Sequence, residues 1–128
     1  MIKIKQIDHI VITVNDIEKT IAFYSKVLGM DVVSFGNGRK ALTFGNQKIN
    51  LHEKGKEFEP KANYPTCGSQ DLCFITSTPL KAVQAVLETK GINSIEGIVE
   101  RTGATGKIQS IYLRDPDNNL IELSNYMD

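Results

Sequence analysis

Charge of one sign is missing from this chain: 15 Lys plus Arg stand against 15 Asp plus Glu, so 128 residues carry no net charge. Nucleic acids and anionic membranes are recognised through a positive field, so neither is an expected partner and a small molecule is. Long apolar runs are missing too, since none approaches the roughly 18 residues that cross a bilayer. The N-terminal stretch MIKIKQIDHIVITV holds no apolar segment followed by a small-residue cleavage site, which sets the expectation of a cytoplasmic protein. Cysteine is scarce. The spacing of Cys67 and Cys73 matches neither a zinc knuckle nor a redox CxxC, and both are expected to be free thiols. What is there is ordinary for a globule, 41% hydrophobic and 23% charged. A chain of this length holds one core, so a single domain over residues 1–128 is the expectation.

The run IDHIVITV at 7–14 is β-branched and bounded by polar residues, the mark of a strand. From Asp16 the period changes: Ile17, Ile21, Tyr24 and Leu28 recur at helical spacing, with Asn15 or Asp16 to cap and Gly29 to terminate. Short strands follow near 31–36, 40–45 and 47–53, separated by Gly-Asn turns. The next segment, polar and interrupted by Pro60 and Pro65, reads as a connecting loop. Then the order repeats. A strand over 70–76 leads to a helix capped by Thr78, opened by Pro79 and closed by Gly91, and strands near 95–101, 108–114 and 119–124 follow.

An α+β fold of two βαβββ modules is therefore predicted, the first at about 1–54, a loop at 55–68 and the second at about 69–126. Sliding the halves together places Asp8-His9-Ile10 over Gln70-Asp71-Leu72, and Ile49-Asn50-Leu51 over Ile121-Glu122-Leu123. Duplication puts such positions at equivalent places in the two modules.

Alternation along the strands sorts side chains into two faces. Ile10, Ile12, Val14, Ile49, Leu51, Leu72, Phe74, Ile121 and Leu123 make an aliphatic face suited to packing under helices. The opposite face carries His9, Asn50, His52, Asp71 and Glu122. Ionisable groups aimed at one face need partners, because an unpaired buried charge is costly. A divalent metal satisfies them together. Imidazole and carboxylate donors suit Zn, Ni, Co, Mn or Fe(II), and the lack of thiolates on this face argues against a structural zinc. Tyr112, alternating with Ile111 and Leu113, is expected to face a substrate, and Arg101 or Arg114 to hold an anion.

The stretch IDHIVITVNDIEKTIAFYSKVLGM at 7–30, taken with YLRDPDNNLIEL at 112–123, resembles the vicinal oxygen chelate superfamily of glyoxalase, fosfomycin-resistance and extradiol dioxygenase proteins. Within it the chain is most similar to small glyoxalase-domain proteins, on INLHEKGKEFEPKA and the GSQDLCF strand. The resemblance implies two βαβββ modules forming a U-shaped, eight-stranded mixed sheet around a central cavity with a divalent metal, and a homodimer. The family's first-strand histidine falls on His9 and its last-strand glutamate on Glu122. A fifth-strand position that is often histidine is Asp71 here, and a fourth-strand glutamate falls on Asn50, with His52 two residues on as the alternative ligand. The expected metal ligands are thus His9, His52, Asp71 and Glu122, with Glu122 also catalytic and Tyr112, Asn50 and Arg101 at the substrate.

Three functions follow from these residues. The first is a metal-dependent lyase or isomerase acting on a small substrate with vicinal oxygens, in which a carboxylate moves the proton. The second is an Fe(II) dioxygenase with His9, His52 and Glu122 as a two-histidine, one-carboxylate set. The third is a non-enzymatic binding or resistance protein.

Overall fold

The computed structural model describes residues 1–128 and divides the chain into two compact units, Met1–Cys67 and Gly68–Asp128. In the first, β1 (His9–Val14) leads to α1 (Ile17–Lys26), then β2 (Asp31–Phe35), β3 (Arg39–Phe44) and β4 (Gln47–Glu53). In the second, β5 (Asp71–Ile75) leads to α2 (Leu80–Thr89), then β6 (Val99–Thr102), β7 (Lys107–Arg114) and β8 (Leu120–Tyr126). The sheets run in the orders β1-β4-β3-β2 and β5-β8-β7-β6. The repeat inferred from element order is thus a repeat of topology: each first strand pairs in parallel with its module's last strand. Hydrogen bonding divides the eight strands into two sheets of four, where one eight-stranded sheet is the expectation.

Local chemistry explains most boundaries. Asp16 caps α1, its Oδ1 accepting from the Lys19 amide at 3.1 Å, and Gly29 closes the end in the left-handed region at φ +71°. The cap predicted for α2 is corrected. Pro79 occupies the cap position with no side-chain cap of its own, and the Leu80 amide instead donates to Asn125 Oδ1 of β8 at 2.9 Å. Asn125 Nδ2 also donates to the Thr76 and Thr78 carbonyls, so a residue 45 positions away fixes the helix start. Nothing local in the sequence marks it. β6 begins at Val99 rather than near 95, because Ile95 is held singly by its amide's bond to the Tyr112 carbonyl instead of by a ladder.

Each sheet buries the predicted aliphatic face. Ile12, Val14, Leu42, Ile49 and Leu51 are buried with Tyr24 of α1 in the first unit. In the second, Ile111, Leu113, Ile121 and Leu123 are buried along with Leu80, Val83 and Leu87 of α2. The opposite faces carry the candidate polar residues, beside apolar Val11 and Ala41 in the first unit and Ile75 in the second.

The DPDNN turn before β8 is a structural knot. Asp115 Oδ1 accepts from the Asp117 and Asn119 amides, and Asn119 Nδ2 donates to Asp115 Oδ2 at 2.8 Å. Asn119 Oδ1 then accepts from the Gln70 amide at 2.8 Å, tying the turn to the entry of β5. Gly68 lies against the same turn at φ +80°, where an added Cβ would sit 2.6 Å from the Asp117 carbonyl oxygen. Gly68→Ala is accordingly expected to destabilise the fold by about 2 kcal/mol, from the left-handed backbone and the backbone clash together, as read from urea unfolding.

Candidate metal and substrate site

Strand register places the four candidate positions in pairs. In the first unit His9 pairs with Lys48 and Val11 with Asn50, so His9 and Asn50 are diagonal neighbours on one face. In the second, Asp71 pairs with Leu120 and Cys73 with Glu122, so Asp71 and Glu122 hold the same diagonal relation. His9 and Asn50 therefore correspond, through the repeat, to Asp71 and Glu122. His52 corresponds to Ser124.

His52 pairs with Thr13, four residues beyond His9 along the ladder, a backbone separation of about 13 Å at roughly 3.3 Å per residue. Asn50, two residues beyond His9 along the ladder, is the fourth-strand candidate nearer to it.

His9 is oriented by its neighbour in the sequence. It is exposed, and its Nδ1 lies 2.8 Å from Asp8 Oδ2, which orients the ring and leaves Nε2 free to donate a lone pair. His52 is different: it is 3% exposed, and its Nε2 has no hydrogen-bond partner. Burial, followed by the positive charge of Arg39, holds its pKa below the ordinary value near 6.5. The unfolded chain therefore takes up a proton on this ring at a higher pH than the folded one. Stability from neutral His52 is present above about pH 6.5 and is lost as pH falls below that value. Thermal melts from pH 8 to 5 are expected to show this decline, and a His52→Gln chain to show a flatter one.

In the second unit Glu122 is held from below. Ser110 Oγ–H donates to Glu122 Oε2 at 2.5 Å, Ser110 and Ser124 hydroxyls lie 2.7 Å apart, and Ser124 Oγ lies 3.3 Å from Cys73 Sγ. This chain of hydroxyls fixes the carboxylate's orientation from inside the sheet. Burial, against the hydrogen bond with Ser124, lifts the Cys73 thiol above its ordinary value, so Cys73 stays protonated and is no thiolate ligand at neutral pH. Neither cysteine forms a disulfide.

Above Glu122 lies a cleft of about 350 Å³ lined by Asp71, Arg101, Tyr112, Arg114, Leu120 and Glu122, with Ile95 and Glu96 at its side. Tyr112 pairs directly with Glu122 across β7 and β8. Its hydroxyl accepts from Arg101 Nε at 3.1 Å, and Arg101 Nη2 reaches Glu96 Oε1 at 3.1 Å. Burial first, and the Glu122 charge after it, raise the Tyr112 pKa over the opposing pull of Arg101, keeping the phenol a donor. The sequence reading put Asp71 and Glu122 on one face and expected Tyr112 and Arg101 at a substrate, and all four line this cleft. It missed Ser110, although two residues before Tyr112 on the same strand is the spacing that shares a face.

Imidazole, amide and carboxylate oxygen and nitrogen are donor types that borderline first-row ions take, and each unit places two such side chains on its polar face. No three His, Cys, Asp or Glu side chains are gathered to hold a metal ion.

A duplicated βαβββ topology with paired donors on its polar faces defines a glyoxalase-type protein. The family model for the glyoxalase/bleomycin resistance protein/dioxygenase superfamily matches residues 6–123, and the chain belongs to that superfamily. It is 61% identical over 127 residues to the glyoxalase domain-containing protein RDO1 of Mycosarcoma maydis, covering 99% of this chain and 72% of that protein. It is also 61% identical over 124 residues to the virulence protein STM3117 of Salmonella typhimurium, covering 97% of this chain and 86% of that protein. The crystal structure of the Salmonella protein superposes with a TM-score of 0.97 at 60% identity, covering 98% of this chain and 100% of that one. A lactoylglutathione lyase from Agrobacterium tumefaciens, 22% identical, superposes with a TM-score of 0.72 over 94% of this chain and 92% of its own, a likeness of fold alone. No helix is long and apolar enough to cross a membrane.

Proposed function

We propose that the protein is a divalent-metal-dependent lyase or isomerase acting on a small anionic substrate with vicinal oxygens. The observation that carries it is Glu122, a carboxylate oriented by Ser110 on the floor of a cleft with a phenol and two guanidinium groups. The side chains proposed as ligands to Zn, Ni, Co, Mn or Fe(II) are His9 and Asn50 of the first unit and Asp71 and Glu122 of the second. Such an ion supplies Lewis acidity to oxygens of the substrate.

The protein's own groups do the rest. Glu122 takes a proton from the carbon beside a substrate carbonyl and returns it to a neighbouring atom, the role of a positioned general base. The Tyr112 hydroxyl donates to a substrate oxygen. Arg101 is steadied by Glu96 and Tyr112, and with Arg114 it gives the cleft positive charge for a substrate anion. A homodimer and a cytoplasmic location are part of the same proposal, by analogy with glyoxalases.

The test is proton exchange into small hydroxyketones in D2O, followed by NMR. Metal-loaded protein is expected to catalyse exchange at the carbon beside the carbonyl, and excess chelator to abolish it. Exchange that survives chelation would sink the metal dependence. Tight small-molecule binding with neither metal nor exchange would favour the non-enzymatic binder.

A further inference from the structure

The first unit carries a second polar cluster, apart from the four positions assigned above to metal and using only Asn50 in common. Three buried polar atoms there lack hydrogen-bond partners: Arg39 Nε, Asn50 Oδ1 and His52 Nε2. Asn50 and His52 are 6% and 3% exposed. Such atoms cost free energy unless something satisfies them, and native proteins keep few. Their grouping follows from register. Asn50 pairs with Ala41 and Leu51 with Lys40, which sets Arg39 at the continuation of the ladder opposite His52. One donor and one acceptor thus flank an imidazole on a single face.

The walls are apolar and the field is positive. The Arg39 guanidinium carbon lies 4.9 Å from the Phe35 ring centre and 4.8 Å from that of Phe58, and Lys48 Nζ lies 4.3 Å from the Phe35 ring centre. Charges acting on His52 are those of Arg39 and Lys61 against Glu57. Phe58, on the loop after β4, packs edge-on to His52 with ring centres 5.7 Å apart and is itself 40% exposed. Phe58 thus packs against both the His52 ring and the Arg39 guanidinium.

We infer that Arg39, Asn50 and His52 form a binding site for a small hydroxycarboxylate, closed over by Phe58. A carboxylate oxygen takes the Arg39 Nε–H, a charge-assisted bond. A neighbouring hydroxyl donates to Asn50 Oδ1, and the imidazole nitrogen satisfies the remaining oxygen. The excess of positive charge favours a monoanion over an amino-acid zwitterion.

L-lactate is the probe. The chain has two histidines, so ring resonances of buried His52 and exposed His9 are separable in labelled full-length protein, with chelator present so that no metal holds the ligand. Lactate is expected to move the His52 signals saturably and to leave His9 in place. Acetate, 1,2-propanediol and glycine should each need at least about tenfold higher concentration, since each forfeits one charge-assisted bond, hydroxyl contact or net charge. Arg39→Gln and Asn50→Asp should each weaken lactate by about tenfold or more, and the second covers a failure of the first to fold. No saturable movement up to about 10 mM lactate, where even a millimolar ligand is largely bound, would overturn the inference. Equal affinity for acetate, or undiminished affinity in the folded variants, would overturn it as well.

Discussion

Glu122→Gln is expected to reduce proton exchange by about a thousandfold, the middle of the range for a positioned general base, while leaving the fold intact. Glutamine keeps an oxygen for the Ser110 hydroxyl, so the bond that orients the side chain survives. What is lost is the carboxylate's basicity and its charge. A second readout separates this from general damage: Tyr112 is raised in part by the Glu122 charge, so its titration should move back toward the ordinary range while remaining raised by burial. Ser110→Ala tests orientation alone. It should lower activity less than Glu122→Gln, because the carboxylate remains but loses its anchor.

Asn119→Ala is expected to be the most destabilising polar substitution, by about 3 kcal/mol. The side chain is fully buried and satisfies the Gln70 amide and Asp115 Oδ2 at once, so truncation strips two partners and leaves a void. Thermal unfolding should drop by roughly 10 °C for a domain of this size. Asn118→Gly, one residue earlier, is the contrast. Asn118 already stands at φ +66° and its backbone bond to the Asp115 carbonyl needs no side chain, so stability should change by less than about 0.5 kcal/mol. The DPDNN run that served as a family signature thus owes its form to the turn it builds and not to chemistry at the cleft.

Much of the architecture was legible because it rests on local signals. Asp16 and Gly29 bound α1 by capping chemistry, and two-residue alternation alone separates Ile49 and Leu51 from Asn50 and His52. The start of α2 is not legible locally, because Thr78-Pro79 has the form of a cap while the Leu80 amide is met by Asn125 through tertiary structure. The candidate site divides in the same way. Which face each residue occupies follows from parity, so Tyr112, Asp71 and Glu122 were found together. Parity leaves open how far along a face two residues stand, and that is how His52 came to be grouped with His9. Only the ladder, with His9 against Lys48 and His52 against Thr13, separates them. Arg39 and Phe58 were silent for another reason: the one is brought beside His52 by a hairpin register, the other by a loop without periodicity.

The most direct test of metal dependence is elemental analysis of protein purified without added metal and then offered Zn, Ni, Co, Mn and Fe(II) in turn. Wild-type chain should retain one of these ions stoichiometrically, His9→Ala and Glu122→Gln should lose it, and His52→Gln should keep it. A wild-type protein that retains none of the five, yet exchanges protons at the same rate with chelator as without, would contradict the proposal.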